Sequence, residues 1–104
     1  MLPVVWHPEA EQDLLEIVAF VAEHDYAAAV KLGHLIHESA EPLSEHPFLY
    51  KTSDRKPGYR EIVVHPNYLV FYRVLADCVQ VEMVAHARQQ YPKRSPQKAE
   101  NKAR

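Results

Sequence analysis

Cysteine, glycine and long apolar runs are scarce in this sequence, and each shortage excludes a class of protein. The one cysteine, Cys78, cannot form an internal disulfide, so a reducing cytoplasm is the expected location. No apolar run approaches the roughly 20 residues of a membrane-spanning helix, and the N-terminus lacks the basic start of a secretory signal. Two glycines in 104 residues leave no glycine-rich phosphate loop. We therefore expect a cytoplasmic domain with no cofactor and no membrane association.

Basic residues are almost absent from the first half of the chain. Residues 1–50 hold nine acidic residues and one basic residue, whereas residues 51–104 hold eleven basic and five acidic residues. The formal net charge of -2 hides this division. A basic half suits an anionic partner, which is either nucleic acid or an acidic polypeptide. The alternative is that the basic residues only keep the protein soluble.

Apolar periodicity predicts an α+β fold with the element order β-α-α-β-β-β. A short apolar run at residues 2–6 is typical of a strand, and a helix follows from Pro8, with His7 as its N-cap. The apolar stripe of this helix recurs at three- and four-residue steps: Leu14, Ile17, Val18 and Val21. A second helix begins near Ala27 and is expected to kink or end at Pro42. Helices joined by so short a loop pack as an antiparallel hairpin.

The stretch Tyr59–Arg88 predicts three strands of an antiparallel meander, against which the helical hairpin packs. A turn is expected at residues 65–67, where a proline suits the sheet edge. In the last strand, side-chain alternation places His86 and Arg88 together on the more polar face, away from the helices. The residues expected on the other face of that strand are Val79, Val81, Met83 and Ala85.

The end of the chain differs in composition from the rest. Residues 89–104 are rich in lysine, arginine and proline and have no apolar period, which is typical of a flexible tail. We therefore predict a single domain at residues 1–88 and a basic tail at residues 89–104.

Five polar side chains in or just after the meander are candidates for chemistry: Arg60, Arg73, His86, Arg88 and Tyr91. A metal-independent nuclease needs a base, an acid and cations for the phosphate, and His, Tyr and Arg can fill those roles. A protein-binding surface uses the same residue types, because Arg and Tyr dominate binding hot spots. The residues alone leave both interpretations open.

Two other features are weaker candidates. His34 and His37 lie three residues apart on the second predicted helix, but the sequence sets no third ligand, and zinc normally takes three or four protein ligands. We therefore predict a solvated helix face and no metal site. Cys78 lies in a predicted turn with no base set beside it, which favours an unreactive thiol over a nucleophile.

Several short motifs occur in order between Val4 and about Arg88. They are Trp6-x-Pro8-x-Ala10-x-x-Asp13-Leu14, Leu43-x-x-x-Pro47, Arg60, Tyr68, Tyr72-Arg73 and His86-x-Arg88. In this order they resemble the ParE/RelE superfamily of bacterial toxins from type II toxin–antitoxin modules. The resemblance implies a fold of one strand, a helical hairpin and an antiparallel meander. It also implies inhibition by a cognate antitoxin, whose disordered C-terminal segment wraps the toxin.

The resemblance allows two activities. RelE-like toxins cut messenger RNA in the ribosome with several Lys and Arg and a Tyr or His, whereas ParE-like toxins poison DNA gyrase and are not nucleases. Leu69 stands where the RelE pattern has an important arginine, and the His86-x-Arg88 ending is common among ParE-like members. The resemblance therefore favours the ParE-like branch, a gyrase inhibitor that is not an enzyme.

The expected partners are a cognate antitoxin and DNA gyrase, with toxin and antitoxin forming a hetero-oligomer. The residues predicted to bind partners are Arg60, Tyr68, Tyr72, Arg73, His86 and Arg88. The alternative is a RelE-like endoribonuclease that acts on the ribosome and its messenger RNA. In that case His86 or Tyr91 would be the acid/base group, and Arg60 and Arg88 would hold phosphate. A third possibility is a degenerate homologue that only binds its antitoxin.

Overall fold

Two helices and a four-stranded sheet make up most of the computed structural model, which describes residues 1–64 and 67–88. The elements follow the predicted β-α-α-β-β-β order, which confirms the α+β fold class. In chain order they are β1 (Val4–Trp6), α1 (Pro8–Ala22), α2 (Tyr26–Ser39), a short 3-10 helix (Glu41–Ser44), β2 (Arg60–Val64), β3 (Tyr68–Val74) and β4 (Val79–His86). Tyr91, the predicted tail 89–104 and positions 65–66 of the predicted turn lie outside the described residues.

The helical hairpin begins and ends at polar residues near the predicted boundaries. His7 caps α1, and its Nδ1 accepts a hydrogen bond from the Glu9 backbone N–H at 3.0 Å. Asp25 caps α2, and its Oδ1 accepts a hydrogen bond from the Ala28 backbone N–H at 3.0 Å. The helix therefore begins at Tyr26, one residue before the predicted Ala27. The second helix ends before Pro42, as expected, because proline has no backbone N–H to continue it.

The sheet has the strand order β1-β4-β3-β2. The three consecutive strands β2, β3 and β4 pair antiparallel, which confirms the predicted meander. The N-terminal strand β1 lies parallel to β4 at one edge, where the His7 backbone N–H donates to Val81 O at 2.8 Å. The first and last strands are therefore neighbours, and the helical hairpin joins β1 at one edge of the sheet to β2 at the other edge.

An extra residue in β4 changes which side chains face the helices. Phe71 pairs with Met83 but the next residue, Tyr72, pairs with Val81, so Glu82 is inserted as a β-bulge. Before the bulge, the apolar side chains of β4 join the core beneath the helices. After it, Val84 takes that position, and Met83 moves to the opposite face.

The bulge corrects two predictions about β4. The prediction that Val79, Val81, Met83 and Ala85 share one face is wrong, because the alternation is reset at Glu82. The prediction that His86 lies away from the helices is also wrong. His86 is two residues after Val84, which packs in the helix-side core, and its ring contacts Tyr68, which packs against the same core.

A buried carboxylate connects the helical hairpin to the sheet. Asp13 in α1 is only 3% exposed, and its Oδ2 accepts the buried Val84 backbone N–H at 3.0 Å. That N–H follows the bulge, where the regular pairing of β3 and β4 is interrupted. Asp13 therefore satisfies a backbone donor next to the irregularity, which would be costly to leave unpaired in the core.

The outer edge of β2 is partly covered by the connection that precedes it. The Glu61 backbone N–H donates to Lys51 O at 3.2 Å, and the Ser53 N–H donates to Tyr59 O at 2.8 Å. Thr52 forms an isolated antiparallel bridge with Arg60. The connection thus pairs with the start of β2 as a short additional strand segment.

This connection is held to the sheet by the carboxylate of Glu61, which is 3% exposed. One carboxylate oxygen accepts a hydrogen bond from Ser53 Oγ at 2.8 Å. The other forms a 2.6 Å ion pair with the guanidinium of Arg55. Because both oxygens have partners, the buried charge of Glu61 is compensated.

No helix in the described part of the chain is long and apolar enough to cross a membrane. This agrees with the absence of a long apolar run in the sequence.

The Asp13 bond predicts a specific loss of stability. Replacing Asp13 with Ala leaves the Val84 N–H without its carboxylate, which should lower the free energy of unfolding by about 1–3 kcal/mol. Urea denaturation measures the change. Glu11→Ala, at an exposed position of the same helix, is the matched control and should shift stability by no more than about 0.5 kcal/mol. Equal effects of the two variants would contradict the role assigned to Asp13.

The Glu61 contacts predict a second loss of stability. Glu61→Ala removes the acceptor of both Ser53 and Arg55 and should cost about 1–3 kcal/mol. The lower part of this range is expected, because the Arg55 side chain is 45% exposed and solvent screens the ion pair. Asp54→Ala, at an exposed neighbouring position, is the control for the same urea titration. A Glu61 variant as stable as the control would show that these contacts do not hold the connection.

Candidate functional site

The structure places the predicted site residues at the two ends of β3. On the helix side of the sheet, Arg60 is opposite Tyr72 near one end of β3, and His86 is opposite Tyr68 at the other end. Tyr68 and Tyr72 are four positions apart in the strand, a distance of about 13 Å. Arg73 follows Tyr72 in β3 and its side chain starts from the opposite face, but it lines the same cleft as Arg60 and Tyr72. The structure thus brings Arg60, Tyr72 and Arg73 together and leaves His86 apart from them.

Arg60 lies in a cleft where β2 begins and β3 ends, called here the Arg60 cleft. Its volume is about 430 Å³. The residues lining it are Phe48, Thr52, Gly58, Tyr59, Arg60, Tyr72, Arg73, Val74 and Leu75. The Arg60 guanidinium donates to Tyr50 O at 2.7 Å and lies 4.9 Å from the centre of the Phe48 ring. The side chain is therefore held in one orientation by a hydrogen bond and a cation–π contact.

Tyr72 has no exposed surface. Its hydroxyl donates a hydrogen bond to Pro47 O at 3.2 Å. Burial raises the pKa of this hydroxyl, while a hydrogen bond from the Tyr50 backbone and the charge of Arg60 act in the opposite direction. Tyr72 is therefore a neutral packing residue at neutral pH, and its side chain is covered in this structure. It was predicted to contact a partner.

On the opposite face, Arg73 belongs to a cluster around the bulge. Arg73 Nε and Nη2 each lie 2.7 Å from Glu82 Oε2, and the Tyr59 hydroxyl donates to Glu82 Oε1 at 3.0 Å. The hydrogen bond to Glu82 raises the pKa of the Arg73 guanidinium. Arg73 and Lys56 also lie over the Tyr59 ring, at 5.4 and 4.6 Å from its centre. Glu82 therefore compensates the charge of Arg73.

At the other end of the sheet, His86 is linked to both Tyr68 and Arg88. The rings of Tyr68 and His86 meet edge to face with centres 5.2 Å apart. The Arg88 backbone N–H donates to His86 Nδ1 at 3.1 Å. Nδ1 is therefore the acceptor in this contact, which orients the ring. His86 and Arg88 are adjacent, as predicted, but through the backbone of Arg88.

An apolar groove near Tyr68 was not predicted. It has a volume of about 420 Å³ and is lined by Val21, Ala28, Lys31, Leu32, Leu35, Asn67 and Tyr68. Val21 belongs to the apolar stripe predicted for α1, and Leu32 and Leu35 come from α2. The sequence pattern does not say where the hairpin meets the end of β3. Leu35 is 46% exposed, which shows that this face of α2 is incompletely covered.

The weaker candidates, the helix histidines and Cys78, line neither the Arg60 cleft nor the apolar groove. No group of three or more possible metal ligands occurs among residues 1–64 and 67–88. The His37 ring stacks on Trp6 with centres 4.9 Å apart. Burial raises the pKa of the Cys78 thiol, with Asp77 acting in the same direction. A raised pKa lowers the thiolate fraction and argues against a nucleophile.

Leu69, 1% exposed, packs with Phe71, Met83 and Ala85.

Comparison with known proteins agrees with the architecture. The family described as ParE toxin of type II toxin-antitoxin system, parDE, matches residues 4–91. A chain of the chromosomal ParDE toxin–antitoxin system from P. aeruginosa is similar, with a TM-score of 0.74 and 21% identity, over 83% of this chain and 96% of that chain. A conserved hypothetical protein from Helicobacter pylori has a TM-score of 0.54 and 18% identity, over 84% and 96%.

No curated protein sequence matches the chain. The two similar structures share only 21% and 18% sequence identity with this chain, so they support the fold alone. The family match spans most of the chain and all of its described strands and helices, and it confirms the resemblance to the ParE-like branch. The chain belongs to the ParE family of toxins from type II toxin–antitoxin systems.

Proposed function

We propose that this toxin inhibits DNA gyrase by binding it and is neutralised by a cognate antitoxin in a hetero-oligomer. Membership of the ParE family supports a toxin, and gyrase is the target that the ParE-like resemblance implies. The observation that carries the proposal is the separation of His86, at one end of β3, from Arg60 and Arg73, which line the cleft at the other end. Separate polar sites suit contact with a large protein surface better than chemistry at one phosphate.

Cleavage of RNA without a metal places stricter demands on geometry. An acid, a base and a phosphate-binding cation must all reach one phosphodiester, each within about 3 Å of its atom. Arg60 and His86 are about 13 Å apart along the strand direction alone. The side chain at Leu69, where the nuclease pattern has an arginine, is apolar and buried. These features argue against a RelE-like centre that uses Arg60.

Protein binding is supported by exposed apolar side chains next to fixed cations. Phe48 is 65% exposed and Leu49 54% exposed, and both lie on the segment that orients Arg60. Aromatic and arginine side chains are enriched in the residues that dominate binding energy at interfaces. A surface of this type can bind a partner without any reaction.

The groove beside Tyr68 supports an antitoxin as the second partner. Its walls are mainly aliphatic, with Lys31 at its edge. Grooves between helices are common sites for the apolar face of a partner segment. The P. aeruginosa relative comes from a ParDE toxin–antitoxin system, and by analogy the partner here is the product of an adjacent antitoxin gene.

The ribonuclease remains a second candidate because of His86. Its ring contacts Tyr68, and its Nδ1 accepts the Arg88 N–H. An imidazole that is oriented in this way can serve as a general acid/base group. In this alternative, Arg88 would hold the phosphate without Arg60.

Gyrase inhibition is tested directly with purified components. Adding the chain to gyrase, ATP and relaxed plasmid should slow supercoiling and accumulate cleaved DNA, because the toxin binds the enzyme. Adding equimolar antitoxin should restore supercoiling. The control is the same toxin incubated with a topoisomerase of another type. Supercoiling at the normal rate, with no cleaved DNA, would refute the gyrase proposal.

The ribonuclease alternative is tested in a translation reaction. We expect messages to stay full length in the presence of the chain, and His86→Ala to make no difference to message length. A nuclease with His86 as its acid/base group would cut messages at the ribosome and lose roughly 10²–10⁴-fold of its rate in the variant. That second result would replace the proposed function with the alternative. Normal supercoiling by gyrase together with full-length messages would indicate a degenerate homologue that only binds its antitoxin.

A further inference from the structure

Within the part of the chain that the structure describes, no carboxylate forms an ion pair with Arg60, the cation of the Arg60 cleft. Among residues 1–64 and 67–88, the two ion pairs involving arginine are Arg55 with Glu61 and Arg73 with Glu82. Arg60 instead donates to a backbone carbonyl and contacts the Phe48 ring. A guanidinium presents five N–H donors in a fixed plane, so one backbone acceptor leaves further donors for a ligand.

The surroundings of Arg60 indicate the chemistry of that ligand. A half-buried, oriented guanidinium suits a carboxylate or a phosphate, which it can bind through two parallel hydrogen bonds. The cleft has no glycine-rich run of backbone N–H groups of the kind that holds nucleotide phosphates. Its walls include the apolar side chains of Val74 and Leu75, and Phe48 lies exposed at its rim. These walls favour a carboxylate that is followed by an apolar side chain.

We propose that the Arg60 cleft binds a carboxylate of an acidic segment of the antitoxin, with an apolar side chain of that segment against Phe48 and Leu75. The proposal rests on the proposed function, because it assigns a site to the partner named there. It also adds a second contact region to the apolar groove, at the far end of β3 from Tyr68. The connection that contains Thr52 has an excess of basic residues, with Lys51, Arg55 and Lys56 against Asp54. This excess favours an acidic partner over a neutral one.

Thr52 offers a way to block the cleft without removing Arg60. Thr52 and Arg60 are directly opposite in an antiparallel bridge, and both line the cleft. Side chains in such pairs have Cβ atoms about 4.5–5.5 Å apart, within reach of an ion pair. Thr52→Glu therefore places a competing carboxylate beside Arg60. Thr52→Gln has nearly the same shape and no charge, so it is the matched control.

The first experiment tests the site with a small probe. ¹⁵N spectra of the full chain are recorded during titration with the capped peptide acetyl-Glu-Leu-Glu-amide, and with acetyl-Gln-Leu-Gln-amide for comparison. We expect saturable shifts at the amides of Thr52, Gly58, Arg60 and Leu75 with the acidic peptide. Thr52→Glu should weaken binding roughly 10- to 100-fold, the effect of losing a hydrogen-bonded charge, and Thr52→Gln less than about threefold. The carboxylate site would be overturned if the acidic and the amide peptide caused equal shifts. It would also be overturned if Thr52→Glu and Thr52→Gln bound the acidic peptide equally well.

The second experiment tests the occupant. Titration calorimetry of the antitoxin from the adjacent reading frame should show weaker binding to Thr52→Glu than to Thr52→Gln, by a similar factor. Equal affinities would overturn the antitoxin segment as the occupant, even if the peptide binds. No complex with the wild-type chain would instead contradict the proposed function. The peptide experiment would then still decide whether the cleft is a carboxylate site.

Discussion

The β-bulge at Glu82 decides where the polar side chains of this protein lie. One extra residue in β4 keeps Val81 and Val84 on the helix side while Met83 moves to the opposite face. As a result, His86 contacts Tyr68 beside the helices, and Glu82 can bind Arg73 on the other face. The Asp13 carboxylate accepts the Val84 N–H, two residues after the bulge, and so connects this part of the sheet to α1.

Much of the fold follows from local patterns in the sequence. Three- and four-residue spacing identified α1, Pro42 marked the end of α2, and the meander followed from apolar segments between turns. Strict alternation failed at β4, because a bulge depends on pairing with another strand and leaves no local signal. The parallel position of β1 beside β4 also depends on long-range packing. Asp13 reads as an ordinary acidic residue in the first turns of a helix, and its buried role appears only in three dimensions.

The candidate site was less predictable than the fold for the same reason. The sequence identified Arg60, Arg73 and His86 as unusual polar residues in a sheet, but their distribution over two faces depends on register and on the bulge. Tyr72 was predicted to bind a partner, and its side chain is fully covered in this structure. The two clefts lie where different elements meet, at opposite ends of β3. These two clefts are the contact regions that we propose for binding partners. The distance of His86 from Arg60 is the reason why binding, and not catalysis, is proposed for this member of the ParE family.

Plasmid topology in living cells tests the central claim, that the toxin acts by binding gyrase and not by cutting RNA. The chain is expressed briefly from a tightly controlled promoter, and plasmid topoisomers and full-length messages are quantified from the same culture. The account predicts that plasmids become relaxed or linear while messages keep their length, and that co-expressed antitoxin reverses the change. Normally supercoiled plasmids together with messages cut within reading frames would contradict it.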